Sequence, residues 1–80
     1  MKLWFENSFG EERVIADCQT EQEVFQEINK FIDQCNERNK ARGVKLFEHY
    51  YTRIWYSNGR THYDVGSHTE FFHWEGQHSA

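Results

Sequence analysis

The dipeptide Asn58-Gly59 constrains the fold of this chain more than any other feature, because it is a strong signal for a two-residue β-hairpin turn. The segment before it, from Leu46 to Ser57, is rich in Phe, Tyr, Thr, Ile and Trp, which favour strands. Such a turn sets the register of the two strands. The predicted cross-strand pairs are Ser57 with Arg60, Tyr56 with Thr61, Trp55 with His62, Ile54 with Tyr63, Arg53 with Asp64, and Thr52 with Val65.

This register divides the hairpin into two chemically different faces, because side chains alternate along a strand. The face suited to pack on a helix carries Thr52, Ile54, Tyr63 and Val65. The opposite face mixes rings and charges, and it carries Tyr51, Arg53, Trp55, His62 and Asp64.

A helix over residues 20–38 is predicted from a capping box, in which Thr20 is followed three residues later by Glu23. Apolar residues then recur on one face of a 3.6-residue period, at Val24, Phe25, Ile28, Phe31, Ile32 and Cys35. The residues predicted to point outward are Glu21, Glu27, Lys30, Asp33 and Glu37. Gly43 is interpreted as a stop signal for the helix.

Residues 2–6 and 12–18 are predicted to form a first hairpin, with turn chemistry from Asn7, Ser8 and Gly10. Gly66 is expected to bend the chain before a candidate fifth strand from Thr69 to Trp74. The expected fold is a single α+β domain over 1–80 in the order β-β-α-β-β. Two antiparallel hairpins form its four-stranded or five-stranded sheet, with the helix on one face.

The core is predicted to be aromatic. Only 38% of the residues are hydrophobic, and Phe, Trp and Tyr, which are counted among them, make up 18% of the chain. Trp4 would add a ring to the other side of the sheet if Leu3 and Phe5 face the helix. The predicted core residues are Val14 or Ile15, Val24, Phe25, Ile28, Phe31, Ile32, Ile54, Tyr63 and Val65.

The charge and the cysteines narrow the function classes. The net charge of −4 disfavours general DNA binding. Cys18 and Cys35 form no Cys-x-x-Cys pair, so both are interpreted as reduced structural residues. The apolar runs are too short for a secretory signal or a membrane span, so we expect a cytoplasmic protein.

No motif in the sequence marks a reaction or a cofactor, and we predict a protein that is not an enzyme. Among the five histidines, His68 and His73 with Glu70 are the first metal candidates. In a strand, however, His73 would fall on the face opposite the other two, so no metal site is predicted.

The mixed face of the second hairpin is the predicted binding site, comprising Tyr51, Arg53, Trp55, His62 and Asp64. Tyr, Trp and Arg are enriched at protein interfaces, so contact with another protein is the first hypothesis. In a second version of this hypothesis, the protein forms a homodimer through the same face. The alternative is nucleic-acid or nucleotide binding by the same rings together with Lys40, Arg42 and Lys45.

Three segments carry a family resemblance: Trp4-Phe5-Glu6-Asn7-Ser8, Tyr50-Tyr51-Thr52-Arg53 and the run from Tyr63 to Phe72. With them the chain resembles short uncharacterised proteins encoded by temperate phages and prophages of Gram-positive bacteria. The resemblance implies a setting, the bacterial cytoplasm during infection or lysogeny, and a host or phage protein as partner. In that setting we expect an inhibitor of a defence protein such as an RNA-guided nuclease, whose cationic groove would attract an acidic protein.

Overall fold

The computed structural model describes residues 1–46, 53–66 and 69–78, and these residues form one helix and five strands. The elements are β1 (Lys2–Glu6), β2 (Glu12–Asp17), α1 (Glu21–Ala41), β3 (Arg53–Ser57), β4 (Arg60–Asp64) and β5 (Phe71–Trp74). The predicted α+β class and the predicted order of elements are confirmed. Residues 47–52, including Tyr51, lie outside the described residues, and so do His68 and Ala80.

The strands form one antiparallel sheet in the order β2-β1-β5-β4-β3. The candidate fifth strand is therefore a central strand, because β5 pairs with β1 on one side and with β4 on the other. Phe72 shows this directly, since it lies opposite both Phe5 and Tyr63. The two hairpins meet through β5 rather than by pairing with each other.

The hairpin of β3 and β4 has the predicted register. Asn58 and Gly59 have φ values of 54° and 74°, which is the backbone of a type I′ turn. The pairs from Ser57 with Arg60 through to Arg53 with Asp64 are all observed. The remaining predicted pair is Thr52 with Val65, of which Thr52 lies outside the described residues.

Helix α1 begins as predicted and runs to Ala41, three residues beyond the predicted end at 38. The capping box is present: the Thr20 hydroxyl accepts a hydrogen bond from the Glu23 amide, and the Glu23 carboxylate accepts one from the Thr20 amide. The helix stops before Gly43, whose φ of 68° favours glycine.

We predict that Thr20→Ala lowers the free energy of unfolding by about 1 kcal/mol, because it removes the side-chain acceptor for an amide of the first helical turn. Thr20→Ser keeps that acceptor and should stay within about 0.5 kcal/mol of the wild type. Urea unfolding of the two variants, followed by circular dichroism, measures the difference. Equal stability of the alanine and serine variants would contradict a role for the cap.

The core lies between α1 and the helix-facing side of the sheet. Its buried apolar residues are Leu3, Phe5, Cys18, Val24, Ile28, Ile32, Tyr63, Val65, Phe72 and Trp74. The predicted core residues Ile15, Phe25, Phe31 and Ile54 are half-buried and pack against this cluster. The core is aromatic as expected, and β5 supplies two of its rings.

Of the two alternatives Val14 and Ile15, the structure places Ile15 against the core. Val14 is 51% exposed, because it lies opposite Trp4 on the side of the sheet away from the helix. One prediction of side-chain placement is wrong. Glu21 does not point outward from α1. Its carboxylate accepts a hydrogen bond from the Tyr63 hydroxyl at 3.0 Å and lies 2.5 Å from Nδ1 of His78. The reason is that the first helical turn packs beside β4 and beside residues 75–78, called the C-terminal segment below.

Candidate functional site

The sheet surface opposite α1, called the outer face below, brings together side chains from all five described strands. Its described residues are Lys2, Trp4, Glu6, Glu12, Val14, Asp17, Arg53, Trp55, Ser57, Arg60, His62, Asp64, Phe71 and His73. This placement follows from strand alternation, since the intervening residues of β1, β4 and β5 form the core.

The structure places four predicted binding residues together on the outer face, while Tyr51 lies outside the described residues. The guanidinium of Arg53 lies over the Trp55 ring at 4.6 Å and 3.6 Å from the carboxylate of Asp64. Arg53 has 62% of its side chain exposed, whereas Asp64 has 1%. Arg53 and half-buried Trp55 therefore form the accessible part of this cluster, with Asp64 anchoring the guanidinium from below.

A second arginine–tryptophan stack lies across the sheet, on strands β1 and β4. The Arg60 guanidinium lies 4.4 Å from the centre of the Trp4 ring and 2.8 Å from the Glu12 carboxylate. The hydrogen bond from Arg60 holds the pKa of Glu12 below its ordinary value, although partial burial opposes the shift. Strand β2 is thereby tied to β4 across the two strands between them.

Between the two stacks runs a buried chain of polar side chains. The Ser57 hydroxyl lies 2.9 Å from Nε2 of His62, and Nδ1 of His62 lies 2.6 Å from Nδ1 of His73. Nε2 of His73 in turn lies 2.7 Å from the Glu6 carboxylate. The chain links β3, β4, β5 and β1, and both imidazoles are buried.

When the imidazoles of His62 and His73 are both neutral, their hydrogen-bond partners determine which ring nitrogen carries the hydrogen. A carboxylate can only accept, so His73 carries its hydrogen on Nε2 and donates to Glu6. His73 then accepts at Nδ1 from Nδ1–H of His62, and His62 accepts at Nε2 from the Ser57 hydroxyl. Loss of water contact lowers the pKa of His62, which favours this neutral form.

Three side chains of the outer face could hold a metal ion. A carboxylate oxygen of Glu6, a carboxylate oxygen of Glu12 and a ring nitrogen of His73 all lie within 4.8 Å of one another. The trio suggested by the sequence is not brought together in the described residues: His68 lies outside them, and Glu70 is not part of this group.

The basic cluster considered for nucleic acid lies at and just after the C-terminal end of α1. Lys40, Arg42 and Lys45 are all exposed. The nearby backbone is held to the helix, because the Val44 amide donates to the Asn39 carbonyl at 2.9 Å. The cluster fits the preference of a helix C-terminus for cations.

Several residues of the outer face were not predicted from the sequence to be site residues, namely Glu6, Glu12, Ser57, Arg60 and Phe71, and His73 was considered only for a metal site with His68 and Glu70. One signal for them was present, since β1 alternates apolar Leu3 and Phe5 with Trp4 and Glu6. Their partners could not be deduced, because the position of β5 between β1 and β4 decides which side chains meet.

Comparison with protein-family models gave no match for this chain, and comparisons with curated proteins and with solved structures gave none either. The resemblance to phage proteins stays a prediction. Within the described residues, no helix has the length and apolar character needed to cross a membrane.

Proposed function

We propose that this protein is a non-enzymatic binding module that contacts another protein through the outer face. The observation that carries the proposal is the pair of arginine–tryptophan stacks, Arg53 on Trp55 and Arg60 on Trp4. Tryptophan and arginine dominate interface hot spots, and rings already ordered by a stack lose little conformational entropy on binding.

The charge of the outer face favours a protein over a nucleic acid as the partner. Its described residues comprise three cations and four carboxylates, which leaves one net negative charge with neutral histidines. Both stacked arginines already have a carboxylate beside them. A surface of this kind offers few free cations to a phosphate backbone.

The buried polar chain supports a binding role rather than catalysis. Nδ1 of His62 and of His73 face each other, and each Nε2 contacts a protein group, Ser57 or Glu6. A general base needs a lone pair directed at a substrate proton. Here the ring nitrogens take part in hydrogen bonds that link neighbouring strands, and the two buried rings lie between the accessible stacks.

The partner that we propose is a host protein of a phage-infected bacterium, in particular a defence protein with a basic groove such as an RNA-guided nuclease. The chain carries a net charge of −4, and the described residues of the outer face share in it with one net negative charge when the histidines are neutral. This negative charge would attract a cationic groove and raise the association rate.

We predict that Trp55→Ala weakens binding to the partner at least about 30-fold, which equals roughly 2 kcal/mol. The reason is that the variant removes the ring on which Arg53 is ordered. The measurement starts with affinity capture from a Gram-positive host lysate, with and without nuclease. Calorimetry with the purified candidate then gives the dissociation constants.

Tyr56→Ala is the matched control, because Tyr56 is the next ring on β3, is 47% exposed and points to the other side of the sheet. Arg53→Ala, which removes the exposed cation of the same stack, should also weaken binding. Arg13→Ala is its control, since Arg13 also covers a ring, that of Phe31, but on the helix side. Equal affinities of Trp55→Ala and Tyr56→Ala would contradict the assignment of the face.

Two other outcomes would change the proposed partner. Loss of all specific partners after nuclease treatment would replace protein binding with nucleic-acid binding. A dimeric mass at tens of micromolar that Trp55→Ala converts to a monomer would make the occupant a second copy.

A further inference from the structure

Two carboxylates lie directly opposite each other on the outer face. Glu6 of β1 pairs with Glu12 of β2 in the antiparallel ladder. Like charges at directly opposed positions destabilise a sheet unless a cation lies near them. Arg60 occupies one oxygen of Glu12 at 2.8 Å, and the other oxygen turns toward His73 at 3.9 Å.

The imidazole of His73 lies beside both carboxylates of this acidic pair. Its Nε2 lies 2.7 Å from Glu6, and its side chain is 8% exposed, whereas Glu12 is 36% exposed and open to water. We propose that Glu6, Glu12 and His73 bind a divalent first-row transition-metal ion, for which Zn²⁺ is the natural probe, with water as the fourth ligand.

The donor set and its dimensions suit such an ion. One imidazole nitrogen with two carboxylate oxygens fits Zn²⁺, whereas Mg²⁺ and Ca²⁺ prefer oxygen donors alone. A tetrahedral ion about 2.1 Å from each ligand holds the ligands roughly 3.4 Å apart. The separations of 2.7 and 3.9 Å from Nε2 of His73 to the two carboxylates lie on either side of that value.

The polar chain behind His73 provides the support that a metal-binding imidazole requires. Metal binding at Nε2 moves the hydrogen of His73 to Nδ1, where it is donated to Nδ1 of His62. His62 then carries its hydrogen on Nε2, which lies 3.1 Å from the Ser57 carbonyl oxygen. Each ring keeps one hydrogen, so the ion replaces the hydrogen bond to Glu6 without leaving a buried nitrogen unpaired.

The test is a Zn²⁺ titration of the tag-free protein, followed by calorimetry and by long-range ¹H–¹⁵N NMR of the histidine rings. We expect saturable binding of one ion, with Mg²⁺ at the same concentration giving no signal. NMR should show His73 changing from the Nε2–H to the Nδ1–H tautomer, and His62 changing from Nδ1–H to Nε2–H. No tautomer change at saturating Zn²⁺ would overturn the proposal.

Variants separate this group from the other histidines. Glu12→Gln and His73→Gln should weaken Zn²⁺ binding by more than the roughly 10- to 100-fold expected for the supporting residue His62. Glu12→Gln keeps the side-chain shape, and its melting curve in EDTA checks the fold. His78→Gln is the matched control, because His78 also contacts a carboxylate, that of Glu21, at 2.5 Å. Zn²⁺ binding that survives Glu12→Gln but is lost in His78→Gln would place the ion elsewhere and refute the assignment.

Discussion

Phe72→Ala should lower the free energy of unfolding by about 3–5 kcal/mol, which in a domain of this size is enough to leave a large unfolded fraction at 37 °C. Phe72 is fully buried and lies on the central strand β5. Its ring centre is 5.3 Å from that of Phe5 and 5.7 Å from that of Phe31, and these two rings are 4.6 Å apart.

The large effect follows from the position of this aromatic triangle. Its members come from β1, β5 and α1, so the removed ring would leave a cavity bounded by three separate elements. The backbone of β5 cannot move to fill that cavity without disturbing its pairing on both sides. Cavities that cannot collapse are the most destabilising.

Phe9→Ala provides the matched control, since Phe9 lies in the β1–β2 turn and is 86% exposed. The same substitution there should change stability by less than about 0.5 kcal/mol. Chemical denaturation of both variants, followed by tryptophan fluorescence, measures the difference. A loss below 1.5 kcal/mol for Phe72→Ala would show that the rings of the core are not packed as described.

The sequence predicted local structure well where short-range chemistry decides it. Asn58 and Gly59 take the positive φ angles that a two-residue turn demands, and the register of β3 and β4 follows from that turn alone. Likewise, the Thr20 capping box and the apolar stripe of α1 depend on residues only three or four positions apart in the sequence.

The placement of β5 could not be read in the same way, because pairing partners that are far apart in sequence leave no short-range signal. Phe72 and Trp74 are therefore core residues that the sequence pattern did not select. The same long-range pairing brings His73 to both His62 and Glu6, so the polar chain of the outer face was also not foreseen. The part of the site within one hairpin, Arg53 with Asp64 and Trp55, was predicted from the register.

Gly76→Ala should destabilise the protein by about 1–3 kcal/mol, because there is no room for one added methyl group. A Cβ atom at Gly76 would lie 2.3 Å from two carbons of the Trp74 indole. The ring is held in place, since it is 3% exposed and its Nε1–H donates to the Cys18 carbonyl at 3.1 Å. The backbone is held as well, because the carbonyl of Gly76 accepts a hydrogen bond from the Thr61 hydroxyl at 2.7 Å.

A double-mutant cycle with Trp74→Phe distinguishes this clash from a general sensitivity of the C-terminal segment. Both indole carbons at 2.3 Å belong to the six-membered part of the ring system, and the smaller phenylalanine ring gives the methyl group more space. Gly76→Ala should therefore cost less in the Trp74→Phe background, with a coupling energy of roughly 0.5–3 kcal/mol. Exposed Gln77, changed to alanine, should leave stability unchanged. Additive effects of Gly76→Ala and Trp74→Phe would mean that the indole does not lie against Gly76.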